Sequence, residues 1–392
     1  MSPARGFASD KLLLAVAAGC VAGYVGYLAQ LFASHGWIVD TGGHPIATDF
    51  MSLWAAGQLA LKGHAPSAYE PLLRHAAQLA VVGHAFRGYF DFAYPPIFLF
   101  VVAALAELPF VVAFLIWIAL TLAFYAATTA AVAGSKRAAI IAVAAPWTFA
   151  VVEVGQTGFL TAALVGAILL NLERRAVVAG VLLALLTYKP QFGLMFPLAL
   201  AAGGYWRAFG WAALASVILF AFAGVVFGFE TLIAFAHQLP LSADALLNQG
   251  GVGWNKLQSA YGITRWLGGG DGAGWTAQAI VTAGAAAAVW MLWRSRASYD
   301  LKAAGLCAGA LLATPYVFVY ELPMLAIAFA FLSRERRFDA FELSAIAAAL
   351  VFFLAFAFFA IPVATFSSVA LAAMVLRRFL EARPAKTARV GA

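Results

Sequence analysis

A single carboxylate in a polar stretch of a very apolar chain is the residue best placed to do chemistry. Asp49 lies in the segment TDFMSLWAAGQLALKGHAPSAYEP, which is more mixed in composition than the sequence that follows it. A positioned carboxylate can act as a general base that removes a proton from an acceptor hydroxyl. The alternative is that Asp49 is the N-cap of a helix starting near Met51, because Asp is favoured at that position.

A lysine in the segment TYKPQFG is the second candidate. Pro190 removes a backbone donor and disfavours helical backbone at Lys189, so the sequence predicts a break in a helix at this point. Non-helical backbone at membrane depth is tolerated where it lines a cavity. A cation at such a break, flanked by Tyr188 and Gln191, suits a bound phosphate. A lysine at a helix end could instead snorkel to the membrane surface.

Other polar and aromatic residues could complete a site for a sugar and a phosphate. Gln156, in EVGQTG, could orient a hydroxyl or a phosphate oxygen, or it could cap the helix that follows. Trp254 and Asn255 offer an aromatic platform and an amide, as saccharide sites often do, although a tryptophan is also common at a membrane surface. The remaining candidates in the polar loops are Tyr94, Trp54 and His64.

Several familiar chemistries have no signature in this sequence. The six histidines show no i, i+4 spacing and no nearby cysteine, so we predict no metal site. Cys20 and Cys307 lie inside apolar runs and are interpreted as small buried hydrophobic residues. The motifs GxxxxGK[ST], GxSxG and HExxH are missing, as is a GxGxxG that opens a helix after a strand. An enzyme would therefore use a donor that arrives through the membrane, and we expect no cofactor.

Membrane helices must position these residues. The 392-residue chain is 64% hydrophobic and 10% charged, with a mean hydropathy of +0.91. No soluble domain of this size can bury so much apolar surface, which predicts an all-α polytopic membrane protein. The net charge of +7 comes from short basic clusters between apolar runs, a pattern typical of cytoplasmic loops. We therefore expect a multi-pass protein of the cell inner (plasma) membrane, in contact with membrane lipid and with no nucleic-acid partner.

The apolar runs predict a single domain with twelve crossings and both termini in the cytoplasm. Pro95–Leu105 is short of the roughly 20 residues that a span needs and is expected to re-enter or to lie tilted. We predict two external loops, residues 34–93 with an amphipathic helix at Pro71–Phe86 and residues 230–274, and a basic cytoplasmic tail at 377–392. The predicted spans are Leu12–Ala33, Val111–Ala133, Ala138–Val152, Thr157–Leu172, Ala176–Tyr188, Gln191–Ala202, Phe209–Phe227, Ala277–Trp293, Leu301–Ala313, Val317–Leu332, Leu343–Phe358 and Ile361–Val375.

Four ionisable residues fall within or beside apolar runs. Each would cost about 2.5–3.5 kcal/mol or more facing lipid, so each should face the protein interior, water or a headgroup. Under the predicted topology, Glu153, Lys189 and Glu321 map to the external half of the membrane. Glu107 lies beside Leu108-Pro109 at a turn and is expected to be interfacial.

Several segments, taken in order between residues 45 and 330, resemble glycosyltransferase family 87 of the GT-C superfamily. They are TDFMSLWAAGQLALKGHAPSAYEP, FAYPPIFLFVVAALAELPFVVAFLIW, VGQTGFLTAALV, AGVLLALLTYKPQFGL and TPYVFVYELPMLA. The resemblance implies a GT-C fold, a polyprenyl-phosphate sugar donor (mannose in characterised members) and inverting transfer without a metal. It matches the family's first-loop aspartate to Asp49, its lysine to Lys189 and its glutamine to Gln156. Members often have Tyr-Asp where this chain has Tyr320-Glu321, whose carboxylate has a longer reach.

The leading interpretation is an integral membrane glycosyltransferase that acts on a lipid or glycan acceptor at the external face. A transporter or flippase also places ionisable residues on broken helices, but it typically shows paired repeats and sites at the midplane. A ligase or polymerase of whole glycans would use His or Arg, and Arg74 and Arg87 keep that reading open. The leading interpretation assigns Asp49 as base, Lys189, Gln156, Gln191 and Tyr94 to the donor, and Trp54, His64, Trp254, Asn255, Tyr320 and Glu321 to the sugar or acceptor.

Overall fold

The computed structural model describes residues 3–88 and 90–382, which form α-helices and contain no β-strand. Short 3-10 turns and one π-helical turn, Asp244–Asn248, interrupt the helices. The helices are α1 (Pro3–Ala33), α2 (Asp49–Leu61), α3 (Pro71–Val82), α4 (Leu99–Ala106), α5 (Phe110–Ala133), α6 (Lys136–Ala144), α7 (Pro146–Val154), α8 (Gly158–Asn171), α9 (Ala176–Leu186), α10 (Pro190–Gly193), α11 (Met195–Gly203), α12 (Trp206–Phe227), α13 (Phe229–Ala243), α14 (Ala260–Trp266), α15 (Asp271–Arg294), α16 (Tyr299–Leu312), α17 (Pro323–Glu335), α18 (Ala340–Phe359) and α19 (Thr365–Glu381).

Six helical segments of the described residues are long and apolar enough to cross a membrane: Leu14–Ala33 of α1, α5, α12, α15, α18, and Pro362–Glu381 at α19. A seventh would be α6 together with α7, which are bent by 64° where Pro146 starts the second helix. The chain is therefore a polytopic membrane protein. The predicted count of twelve crossings is not confirmed.

Several predicted spans are helices too short to cross a bilayer alone. The helices α8, α9, α16 and α17 have 14, 11, 14 and 13 residues. At 1.5 Å per residue they reach about 17–21 Å, against roughly 30 Å of hydrocarbon. Basic residues mark one end of this group, with Arg174 and Arg175 just before α9 and Arg334 in the last turn of α17. A helix of this length that starts at one membrane surface would end before it reaches the other.

The short apolar segment after the first loop also falls below spanning length. It forms a 3-10 turn, Pro96–Phe98, followed by the eight-residue α4. The helix α4 packs along α2, and Gly57 lies against the backbone carbonyl of Val102 with no room for a Cβ atom. This agrees with the prediction that residues 95–105 are too short to cross.

Both predicted external loops are largely helical. The first contains α2 and α3, and the second contains α13 and α14. The predicted amphipathic helix was too long at its C-terminus, because Gly83 takes left-handed backbone (φ 77°) and ends α3 at Val82. The predicted span Val317–Leu332 was too long at its N-terminus, since a 3-10 turn precedes Pro323.

The basic tail was predicted to begin at residue 377, which the structure places inside the last helix. Arg377 and Arg378 belong to the last turns of α19, which runs to Glu381 and binds its neighbours through ion pairs. Residues 383–392 of the predicted tail lie outside the described residues.

A buried ion pair ties α19 to α18. Arg378 is 3% exposed and Glu342 is fully buried. The guanidinium donates from Nε to one carboxylate oxygen (2.7 Å) and from Nη2 to the other (3.0 Å). Its Nη1 donates to the backbone carbonyl of Leu332 in α17 (2.6 Å). One side chain therefore joins the ends of three helices.

We expect Arg378→Met to destabilise the protein by about 1.5–3 kcal/mol, because the buried Glu342 carboxylate loses its two charged hydrogen bonds from Arg378 and keeps only Arg336 (2.9 Å) as a cationic partner. Arg337→Met is the matched control, since Arg337 is an exposed arginine at the same end of α17. Thermal unfolding in detergent should show a large loss for the first variant and little change for the second. Equal unfolding temperatures would mean that the pair does not hold these helices together.

Candidate active site

Two glycines of the EVGQTG segment allow three parts of the chain to meet. Gly155 ends α7 in left-handed backbone (φ 71°) and lies against the side chain of Phe50, with no room for a Cβ atom. Gly158 opens α8 and lies against the backbone carbonyl of Tyr320, again with no room. The start of α2, the turn between α7 and α8, and the segment before α17 therefore converge.

Gln156 lies where these segments meet. Its Oε1 accepts hydrogen bonds from the hydroxyl of Tyr94 (2.9 Å) and from the backbone N–H of Thr157 (3.0 Å). These two donors assign the amide oxygen to their side, so the amide nitrogen faces the other way. On that side the amide lowers the pKa of the Asp49 carboxyl group. Only the hydrogen bond from the Thr157 N–H corresponds to the predicted helix-capping role of Gln156.

Asp49 is the first residue of α2, and Thr48 occupies the N-cap position. The alternative that Asp49 caps a helix starting near Met51 is therefore wrong. The side chain is partly exposed. Burial raises the pKa of the Asp49 carboxyl above its ordinary value, and the Gln156 amide and the charges of Lys256 and Lys189 offset part of that rise. A carboxylate with a raised pKa is a stronger base once it is ionised.

The predicted helix break at Lys189 is confirmed. The helix α9 ends at Leu186 and α10 begins at Pro190, with Lys189 between them in non-helical backbone. Lys189 is 6% exposed, and its Nζ forms an ion pair with Oε1 of Glu321, which is 1% exposed. The lysine therefore does not snorkel to a surface. The pair offsets the cost of burying each charge, which is several kcal/mol per ion.

Aromatic rings surround this ion pair. The Nζ atom of Lys189 lies 5.8 Å from the ring centroids of Tyr94 and Phe192, and 5.6 Å from that of Tyr320. The second carboxylate oxygen of Glu321, Oε2, is buried and has no hydrogen-bond partner among the described residues. That oxygen is an acceptor that no described residue uses.

Six of the predicted site residues come together. The amide oxygen of Gln156 accepts from the hydroxyl of Tyr94, and the amide also lowers the pKa of the Asp49 carboxyl. The Nζ atom of Lys189 lies 5.8 Å from the ring centroid of Tyr94 and 5.6 Å from that of Tyr320. The converging residues are Asp49, Tyr94, Gln156, Lys189, Tyr320 and Glu321.

Two of the remaining predicted residues have other roles on α2. The indole N–H of Trp54 donates to the carbonyl of Leu108 (3.2 Å), so Trp54 packs α2 against the start of α5. His64 is exposed beyond the far end of α2. Since α2 has 13 residues, that end lies about 18 Å from Asp49. The structure thus places His64 away from the cluster.

The other three predicted residues have no described contact with the six residues of the cluster. Gln191 follows Pro190 in α10 and is partly buried. Trp254 and Asn255 lie in the 3-10 turn Trp254–Lys256. The indole N–H of Trp254 donates to the carbonyl of Leu247 (2.7 Å), so this tryptophan folds the second loop.

Lys256 is a residue that the sequence analysis missed. It is exposed, and its charge acts on the Asp49 carboxyl more strongly than that of Lys189 does. Its turn is fixed beside the segment before α17, because the backbone N–H of Gln258 donates to the carbonyl of Val317 (2.7 Å). The one signal in the sequence was a lysine directly after Trp254-Asn255 in a polar loop.

The arginine considered for a glycan ligase has a structural partner. Arg74 is 4% exposed and forms an ion pair with Asp91 at 2.9 Å. It also donates to the carbonyl of Ala68 (3.4 Å). Arg74 therefore holds the first loop together and is not free for a substrate, whereas Arg87 is exposed.

A family model described as glycosyltransferase family 87 matches residues 92–315, which is more than half of the chain. The matched range includes Tyr94, Gln156, Lys189 and Lys256, whereas Asp49 and Glu321 lie outside it. No curated protein and no solved structure matches this chain.

We expect Gly158→Ala to destabilise the protein by about 1–3 kcal/mol, because the added methyl group must push away a backbone carbonyl. Gly210→Ala is the control, since a Cβ atom at this position of α12 meets nothing within 4 Å. Hydrogen exchange should report faster opening of residues around Tyr320 only in the first variant. Unchanged hydrogen exchange and stability would mean that the contact between Gly158 and the Tyr320 carbonyl does not position the segment before α17.

Proposed function

Because this chain belongs to glycosyltransferase family 87, it is a membrane glycosyltransferase, and we propose that it transfers a sugar from a polyprenyl-phosphate donor to a hydroxyl group of a lipid or glycan acceptor. The proposed sugar is mannose. The observation that carries the proposal is the position of the ion pair and Gln156 at the ends of helices too short to cross a bilayer, which would put these groups below the membrane surface. A lipid-anchored donor delivers its phosphate and sugar to that depth, whereas a soluble nucleotide sugar does not.

In the proposed reaction, the Asp49 carboxylate takes the proton of the acceptor hydroxyl as that oxygen attacks the anomeric carbon of the donor. The bond from that carbon to the phosphate oxygen breaks, and polyprenyl phosphate leaves. One base suffices for a single displacement, which inverts the anomeric centre. Asp49 fits this role because it is partly exposed and held by the Gln156 amide.

The ion pair is proposed to line the donor side of the pocket. Glu321 keeps one buried oxygen without a protein partner, and a sugar hydroxyl could donate to it. The rings of Tyr94 and Tyr320 flank the pair and offer the apolar faces that sugar rings pack against. Lys189 and Gln156 are also proposed to line the donor side. Lys189 belongs to the ion pair, and Gln156 accepts a hydrogen bond from Tyr94 beside it.

The proposed location is the plasma membrane, with the pocket open to the external side as part of cell-envelope synthesis. Support comes from the basic residues at the other ends of the short helices, Arg174, Arg175 and Arg334, since cytoplasmic loops carry an excess of Lys and Arg. The first loop, which carries Asp49, would then be external.

Asp49→Asn should lower the rate of sugar transfer by about 10²–10⁴-fold, because it removes the proposed base and keeps the size of the side chain. The assay mixes purified protein, labelled polyprenyl-phosphate mannose and a lipid and glycan extract of the source membrane. Asp40→Asn is the control, since Asp40 is another loop carboxylate that contacts exposed His84 (3.0 Å). A normal rate for the Asp49 variant would remove it from the role of base.

The pH dependence of transfer gives an independent test. Only ionised Asp49 can accept a proton, so activity should fall as the pH drops through its pKa. Since burial raises that pKa, the acidic limb should lie above the roughly 3.9 of an ordinary aspartate. Gln156→Met removes the amide that lowers the pKa of this carboxyl group and should move the limb to still higher pH. A limb at the ordinary value, unmoved by this variant, would contradict the assignment.

A further inference from the structure

The phosphate of the donor gains negative charge during the proposed reaction. A polyprenyl-phosphate sugar is a phosphodiester with one negative charge, and the leaving polyprenyl phosphate is a monoester with two. The acceptor proton goes to Asp49, so the additional charge stays on the phosphate. A cation beside that phosphate would stabilise the transition state more than the ground state.

The obvious cation is already neutralised. Lys189 is buried in an ion pair with Glu321, so the two side chains together carry no net charge. Moving the ammonium group to a phosphate would leave the Glu321 carboxylate alone in a buried position, which costs several kcal/mol. Lys189 is thus better suited to fixing the segment before α17 than to binding a phosphate whose charge changes in each turnover.

We propose that Lys256 is the residue that contacts the donor phosphate, an inference that rests on the proposed function. Lys256 is exposed and forms no ion pair with any described residue. It lies in the matched part of the chain, on the turn Trp254–Lys256. A free ammonium group at the mouth of a pocket can bind the phosphate of a lipid whose sugar lies deeper, beside Glu321.

The turn that carries Lys256 is firmly held. The amide Nε2 of Gln258 donates to the carbonyls of Asn255 (2.9 Å) and Lys256 (3.3 Å), and Gln258 is 2% exposed. Its backbone N–H donates to the carbonyl of Val317, three residues before Tyr320. The turn is therefore fixed against the segment that carries Glu321, which gives Lys256 a defined position beside that segment.

The other cation of this loop is engaged elsewhere. The guanidinium of Arg265 lies 4.4 Å from the ring centroid of Trp254. It also forms an ion pair with Asp271 (3.3 Å) and donates to the carbonyl of Asn248 (3.1 Å). Arg265 therefore holds the loop together, and Lys256 is the cation of this loop whose charge lowers the pKa of Asp49.

The test compares inhibition by polyprenyl phosphate with inhibition by the neutral polyprenol of the same length. Lys256→Ala should weaken inhibition by polyprenyl phosphate by about 10–100-fold, which is the range for one charged hydrogen bond, and leave that by polyprenol unchanged. Lys256→Arg should restore most of the loss. Lys62→Ala is the matched control, because Lys62 is an exposed lysine at the end of α2, far from Asp49.

A double variant, Lys189→Met with Glu321→Met, removes the ion pair without leaving a lone buried charge. It should still prefer polyprenyl phosphate to polyprenol. The inference is overturned if Lys256→Ala keeps the wild-type preference, or if the double variant loses it. A wild-type protein that is not inhibited by polyprenyl phosphate and forms no glycoside from its mannose ester would instead refute the proposed function itself.

Discussion

The buried ion pair between Lys189 and Glu321 is the interaction on which the pocket depends. It joins two interruptions in the helical framework, the turn after α9 and the turn before α17. Chain that leaves a helix inside a bilayer needs partners for its polar groups, and lipid supplies none. The pair satisfies two charges with each other and fixes the two turns together. The long helices around it run uninterrupted and need no such compensation, so they form the frame.

The two carboxylates of the pocket differ because their surroundings differ. Asp49 is partly exposed and receives an amide hydrogen bond, whereas Glu321 is buried and bound to a cation through Oε1. Two similar groups in unlike environments can take separate roles in one reaction. In the proposed reaction, Asp49 takes a proton from the acceptor. Glu321 is held in place and can offer only its remaining oxygen, so it is suited to binding.

Much of the site could be predicted from the sequence, because unusual residues in apolar chain carry strong information. The Lys189-Pro190 pair predicts both a break and a buried charge, and Gln156 between two glycines marks a turn. The length of the helices could not be predicted in this way: hydropathy reports apolar runs, whereas the ends of α9 and α17 are set by proline and by packing. Lys256 was missed because a lysine after Trp254-Asn255 in a polar loop is a weak signal, and the hydrogen bond from Gln258 to Val317 joins segments that are distant in the sequence.

Two parts of the candidate site differ in how far their amino acids can be changed, and the close contact between Gly158 and the carbonyl of Tyr320 belongs to the part that cannot vary. Any side chain at position 158 must displace the chain that carries Glu321, so position 158 tolerates little change. The turn at residues 254–256 is anchored mainly through carbonyl and N–H groups, which every amino acid except proline provides in full. The side chains at 255 and 256 can therefore be exchanged while the loop keeps its place. Directed evolution can therefore vary these two positions without displacing the turn.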